Sequence, residues 1–377
     1  MRSNKSVNGV INILLMAFFI TKILFEAHKI LKRQALIMEL SSLKKAELEI
    51  KAAFRAEQVP SQVVGILNTP TLNSLFSIDP KQAPDNINRL LENEAQFNLL
   101  SADKEHTASL FIEHYMDVTR IKLRTKKLLD FVVMRFSERN PYKKANSTVN
   151  VKVTFTLEEY ADILGKPNPK SKSTKKDVRR ILKDALDAIY SYSIETSEKR
   201  GAELRYFSKM RICQSYSVKN GVYEVTLGNQ FAEFLISSYI MQFPLSLFTL
   251  DERGSNPYVI GRKLALHQSI KKNQKKGTNK IISVKSLLKV ASEIPTIEDV
   301  RKSNGSWSKR IEEKLTEALD KLGSKNNDKG EKIGIEFLEY WEYCNSKGKP
   351  ISDEQLVDMS YYIFSELYVS FSVRGIN

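Results

Sequence analysis

Asn220-Gly221 stands between two β-rich runs, "ELRYFSKMRICQSYSV" and "VYEVTL". A two-residue connection of that composition supplies the positive backbone angles of a tight turn, so this stretch is expected to be a β-hairpin. A hairpin needs a partner surface, and the residues before it supply one.

"TRIKLRTKKLLDFVVMRFSERN" (119–140) has Leu128, Leu129, Val132, Val133 and Phe136 at helical spacing and ends at Pro141. "VNVKVTF" follows as a strand with alternating Val149, Val151, Val153 and Phe155. Thr156 opens the helix "TLEEYADILG" with Glu159 completing a capping box and Gly165 as the stop. After the basic turn "KPNPKSKS", "TKKDVRRILKDALDAIY" (174–190) reads as a helix capped by Thr174, with Val178, Ile181, Leu182, Ala185 and Ile189 facing inward. "YSYSIETS" and a turn at Lys199-Arg200-Gly201 lead into the hairpin. Helix, strand, helix, helix, hairpin is the order of a winged helix.

The order recurs. Asn256-Pro257 starts the helix "PYVIGRKLALHQSIKKNQ", followed by the turn "KKGTNK", the short strand "KIIS" and the helix "SVKSLLKVA" capped by Ser283. "SWSKRIEEKLTEALDKLG" then carries Ile311, Leu315, Ala318, Leu319 and Leu322 as a buried stripe stopped by Gly323. Residues 333–344 and 366–373 can supply the second wing, although Trp341 and Tyr343 fit a helix equally well.

At 377 residues the chain can bury more than one core. The expected fold is α+β and mostly helical, with two tandem winged-helix domains over 106–245 and 246–375. A helical and linker region over 38–105, including a helix at 38–58 and Pro60, Pro70, Pro80 and Pro84, precedes them. Residues 1–37 form a hydrophobic and basic N-terminal segment. Its run "VNGVINILLMAFFI" is too short for a membrane span and lacks a cleavage site, which leaves a downstream start at Met38, an accessory helix or a membrane-associating segment as readings.

Net charge is +15, divided as +6 over residues 1–46, −6 over 47–117, +19 over 118–330 and −4 over 331–377. Concentration of positive charge in the middle points to nucleic acid or another anionic surface as partner. Between Arg253 and Ser292 there are ten Lys or Arg residues and no Asp or Glu.

The helix over 174–190 places Lys175, Lys176, Arg179 and Arg180 in its first two turns, where the helix dipole favours anions instead. A phosphate docked there would be met by backbone N–H groups, dipole and side chains together. Lys172, Lys175, Lys176, Arg179, Arg180 and Lys183 are therefore candidate contacts to DNA backbone, against the alternative of a solvated basic face. Ser306, Ser308, Lys309, Arg310 and Lys314 hold the equivalent place in the second unit and can address base edges or phosphates. Lys271, Lys272, Lys275, Lys276 and Lys280 are candidate phosphate contacts, joined by Arg200, Arg262 and Lys263.

Enzymatic chemistry has no visible signature. The histidines His28, His106, His114 and His267 include no His-x-His pair, no phosphate-binding G-x-x-x-x-G-K-[ST] occurs, and Cys213 and Cys344 suit neither a zinc site nor a disulfide framework. His267 reads as a packing or phosphate-contacting residue. No catalytic residue, metal or cofactor is expected, and two cysteines fit a reducing cytoplasm.

"VTLGNQFAEFLI", "NPYVIGRKLALHQSI", "KGTNKIISVKSLL" and "WEYCNSKGKPISDEQL" together resemble plasmid replication initiator (Rep) proteins of the theta type, particularly those carried by mobile elements of Gram-positive bacteria. The resemblance covers about residues 110–370 and rests on packing patterns, not on catalytic motifs. It implies two winged-helix domains, binding to direct repeats of double-stranded DNA at an origin, and recruitment of the host replication initiator and helicase machinery. A homodimeric repressor form is implied too. The first winged helix would support dimerisation and backbone contact, and the second would read the repeat. A transcriptional regulator on the same scaffold is the alternative, and a membrane-tethered protein whose basic middle binds anionic lipid is a third reading.

Overall fold

The structure, a computed structural model, describes residues 63–78, 84–88, 94–99, 106–113, 122–140, 149–166, 172–200, 203–251, 254–323, 334–357 and 359–376. The hydrophobic N-terminal run and the helix expected over 38–58 lie outside the described residues. Helices and sheets share the described chain, which is α+β.

In the stretch read as a linker with short helices, the described residues hold three strands and one short helix. β1 (Val63–Asn68) leads into α1 (Pro70–Phe76), whose N-cap Thr69 accepts a hydrogen bond from the Leu72 N–H while Pro70 sits where no N–H is needed. β2 (Asn86–Asn88), β3 (Glu94–Leu99) and β4 (His106–Ile112) follow. Two of these strands find partners far along the chain: β1 pairs with a strand at residues 239–244, and β4 pairs with a strand at residues 192–200.

The first repeated unit begins with α2 (Leu123–Arg139), buried nearly all round. β5 (Lys152–Thr156) passes into α3 (Leu157–Ile163) through the capping box expected at Thr156 and Glu159. Gly165 takes the left-handed conformation (φ 68°) that ends α3. α4 (Lys172–Tyr190) starts at Lys172, two residues before the expected cap Thr174. β6 (Tyr192–Arg200) and β7 (Glu203–Arg211) extend a five-stranded antiparallel sheet in the order β2-β3-β4-β6-β7. The run "ELRYFSKMRICQSYSV" therefore breaks at buried Ile212, and β8 (Cys213–Lys219) turns into a second sheet.

β8 and β9 (Val222–Leu227) form the hairpin expected at Asn220-Gly221, both residues having positive φ (53° and 78°). With β5 they make a three-stranded sheet in the order β5-β9-β8. Gly228 caps α5 (Asn229–Ile236), and a Cβ at Gly228 would collide with the Arg211 carbonyl oxygen, which accounts for glycine in "VTLGNQF". β10 (Tyr239–Pro244) and a 3-10 turn (Leu245–Thr249) connect to the second unit.

There α6 (Asn256–Ser269), α7 (Lys271–Lys276), β11 (Ile281–Ser283), α8 (Val284–Leu288) and α9 (Ile297–Lys302) precede a π-helical turn (Ser308–Glu312) continued by α10 (Glu313–Leu322). Ser283 accepts from the Ser286 N–H as the expected cap of α8. β12 (Leu338–Cys344) places Trp341 and Tyr343 on a strand, not on a helix. α11 (Asp353–Val357) and α12 (Tyr361–Ser365) lie between it and β13 (Tyr368–Val373). The sheet order is β11-β13-β12, matching β5-β9-β8 in the first unit: first strand, third strand, second strand.

The described residues belong to one compact unit. Its core is a continuous apolar cluster that includes Phe131, Phe155 and Tyr160 in the first unit, Phe243, Leu247, Phe248 and Tyr258 around the 3-10 turn, and Leu315, Leu319 and Phe371 in the second. Phe131 meets Phe155 edge to face at 5.0 Å, and Phe155 stacks on Tyr223 at 5.5 Å.

Candidate nucleic-acid interface

α4 packs on α2 through Val178, Leu182, Ala185, Leu186 and Ile189, all buried, while Ile181 is half-buried. Its two C-terminal acids are both engaged: Asp184 pairs with Arg124 of α2 at 3.3 Å, and Asp187 accepts the Tyr216 hydroxyl. Lys176, Arg179, Arg180 and Lys183 are exposed, together with Asp177. Among the described residues none of those four cations is in an ion pair. Lys175 is 44% exposed and 3.8 Å from Glu158 of α3, a loose surface contact of little energetic weight. Arg179 also acts on Tyr223 of β9: burial pushes that phenol up and the guanidinium partly offsets the rise. The cationic end of α4 thus lies beside the hairpin.

In the second unit the same position is more constrained. Ser306 and Lys309 are exposed. Ser308 donates to Glu312 at 2.6 Å, which joins it to the helix and not to solvent. Arg310 is exposed, but one guanidinium N–H donates to the Ser303 hydroxyl at 2.6 Å and the group lies over Gly305, where a Cβ would be 2.8 Å from its Nε. Lys314 pairs with Glu317 at 2.8 Å.

Lys275, Lys276 and Lys280 are exposed around Gly277, which closes α7 in the left-handed conformation (φ 66°). This basic turn is fastened to α6 by His267, whose Nε2 is 3.0 Å from the carbonyl oxygens of Thr278 and Ile281 while Asn273 Nδ2 lies 3.3 Å from Nδ1. Two carbonyl acceptors at Nε2 and an amide donor at Nδ1 select the neutral tautomer protonated at Nε2. Burial pushes the imidazole below its ordinary value, the hydrogen bonds to the carbonyls opposing it. Lys263 is half-buried, and burial followed by repulsion from Lys289 lowers its pKa. The backbones of Lys172, Arg200, Lys271 and Lys272 are in described elements, but their side chains lie outside the described residues.

Arg262, expected among the phosphate contacts, is buried instead. It is 3% exposed, and its guanidinium faces the interior instead of a DNA surface. Nε donates to Asp130 Oδ2 at 2.9 Å, Nη2 donates to Asn68 at 2.9 Å and to Asp130 Oδ1 at 3.1 Å, and Nη1 donates to Asn73. The cation lies 4.0 Å from the Phe76 ring centroid. Asp130 also accepts the Tyr258 hydroxyl at 2.7 Å. Burial pushes the Asp130 carboxyl above its ordinary value, and the Arg262 charge and hydrogen bonds only partly offset the rise. Sequence reasoning missed Asp130 although it carries a signal: an acid inside "KKLLDFVVM", a helix segment apolar enough to be buried all round, needs a partner. Lys126, in the same segment, is buried too and donates to the Ile78 carbonyl at 2.9 Å.

No helix of the described residues is long and apolar enough to cross a membrane. No protein family and no curated protein matches the chain. Among solved structures, the crystal structure of selenomethionine derivatives of domain 2 and domain 3 of RctB is similar at a TM-score of 0.40 and 8% identity, covering 81% of this chain and 99% of that one. A likeness of that degree carries no argument for fold or function.

Proposed function

We propose that the chain is a non-enzymatic, sequence-specific binder of double-stranded DNA that initiates replication of a plasmid or mobile element. In this reading both repeated units are winged helices, α4 and α10 are their DNA-facing helices, and the protein acts in the cytoplasm. The observation that carries it is the exposed cationic end of α4: Lys176, Arg179, Arg180 and Lys183 lack ion-pair partners among the described residues while Asp184 and Asp187 are engaged internally. These four cations lie beyond the first turn of α4, where the helix dipole has faded, and they support the reading as unneutralised positive charge available to phosphate. Replication, origin repeats, recruitment of a host initiator and helicase, and a homodimeric repressor form rest on the resemblance carried by "VTLGNQFAEFLI" and "NPYVIGRKLALHQSI".

The test is fluorescence anisotropy of the full chain with DNA fragments tiling its own gene and flanks, at two salt concentrations and with unrelated DNA as competitor. A site of short direct repeats that survives competition supports the initiator. Equal, salt-sensitive binding to every fragment removes sequence specificity from the proposal. Maintenance of a plasmid carrying the bound site, dependent on this protein, separates initiation from transcriptional regulation.

A further inference from the structure

We infer that the buried Asp130–Arg262 pair is a positioning device that sets the distance between α4 and the segment formed by the π-helical turn and α10, and so the spacing of DNA contacts the protein accepts. The inference rests on the DNA-binding reading above for its functional half and on packing alone for its mechanical half. α4 packs against α2, and α10 packs against α6. Asp130 belongs to α2 and Arg262 to α6, so the pair joins the two helices on which the candidate DNA-facing helices rest. The chain of packed elements runs α4, α2, Asp130, Arg262, α6, α10.

Two further observations make this joint directional. All three guanidinium nitrogens of Arg262 donate, and they do so to acceptors on α2, β1 and α1, so rotation of α6 against α2 breaks several charge-assisted hydrogen bonds at once. Gly261, the adjacent residue, lets α6 approach the 3-10 turn and α10 closely: a Cβ there would lie 2.5 Å from Leu247 Cδ2 and 2.9 Å from Leu322 Cδ2. To this close apolar packing a fork of donors fixed on a carboxylate adds an angular constraint of its own. Such buried polar groups give geometric uniqueness more reliably than they give stability.

The experiment is pulsed electron paramagnetic resonance on the full chain carrying spin labels at Lys183→Cys of α4 and Glu313→Cys of α10. Cys213 and Cys344 are buried, with Cys213 pushed up to about 12, so the native thiols resist labelling. Asp130→Asn alone leaves a buried cation and can unfold the chain, so the deciding variant is Asp130→Leu with Arg262→Met, which keeps the volume apolar. A single narrow distance peak in the unaltered background, broadened or shifted in the folded double variant, is the expected result. An unchanged peak in the folded double variant overturns the inference. In a second arm, the DNA site found by anisotropy is lengthened by half a helical turn between its two contacted segments. The native protein should lose affinity for it, and the double variant should lose less. Equal loss in both proteins overturns the functional half, and if no specific site exists the DNA reading fails while the distance measurement still decides the joint.

Discussion

The carboxylate of Asp184 on α4 lies 3.3 Å from the guanidinium of Arg124 on α2. This ion pair ties down an acid that helical spacing places one turn after Arg180, so it does not neutralise the exposed cations Lys176, Arg180 and Lys183. Exposed Asp177 remains among these cations, and the helix presents an excess of positive charge outward.

Replacing Lys175, Lys176, Arg179 and Arg180 together by Gln should weaken binding to all DNA sequences alike. The slope of log affinity against log salt should flatten by about 0.9 for each phosphate the variant no longer neutralises. Anisotropy titrations across a salt series check this, and an unchanged slope returns α4 to a solvated basic face.

Arg310→Ala should act differently, relaxing preference at a particular base by about 1–3 kcal/mol if the second unit reads the major groove. Ser303→Ala should shift the same preference, because the Ser303 hydroxyl holds that guanidinium at 2.6 Å. Uniform weakening over a panel of single-base variants would reassign Arg310 to the DNA backbone.

Stability should fall on mild acidification. Burial holds His267 below its ordinary 6.5, so the unfolded chain binds a proton that the folded chain resists. The contribution is complete above 6.5 and is lost as pH falls through the lower folded value. Urea midpoints measured between pH 7.5 and 5 should decline, and His267→Gln should reduce the slope. A pH dependence identical in that variant would refute the assignment.

Gly261→Ala should lower stability by about 1–3 kcal/mol through overpacking against Leu247 and Leu322. Gly221→Ala should cost about 1 kcal/mol for a different reason, since a Cβ there meets nothing within 4 Å and the penalty is purely that of its positive φ. Denaturant melts of the two variants distinguish them, because only Gly261→Ala is relieved by also shortening Leu247, the nearer neighbour.

Local chemistry was the legible part of this chain. The capping box at Thr156 and Glu159, the cap at Ser283 and the turn at Asn220-Gly221 depend on residues within a few positions of each other, and they form as read. β1, β2 and β3 were hidden among prolines because short strands declare themselves through partners, and the partner of β1 is β10, far along the chain. Arg262 shows the same limit in the site. A cation in a stretch without acids reads as a surface charge until Asp130, on another helix, is brought to 2.9 Å. The face of α4 was legible because helical periodicity sorts its own residues; the charge balance around α10 was less so, since Ser303, Glu312 and Glu317 each claim a side chain expected to be free.

The pairing of β1 with β10 also imposes an order on synthesis. The partner of Asn68 is Tyr239, about 170 residues later, which at roughly 5–20 residues per second leaves β1 waiting on the order of ten to thirty seconds after it leaves the ribosome. During that interval "VVGILN" is an unpaired, uncharged strand, and overproduction at high temperature should drive nascent chains into aggregates through this segment before the second unit has been made.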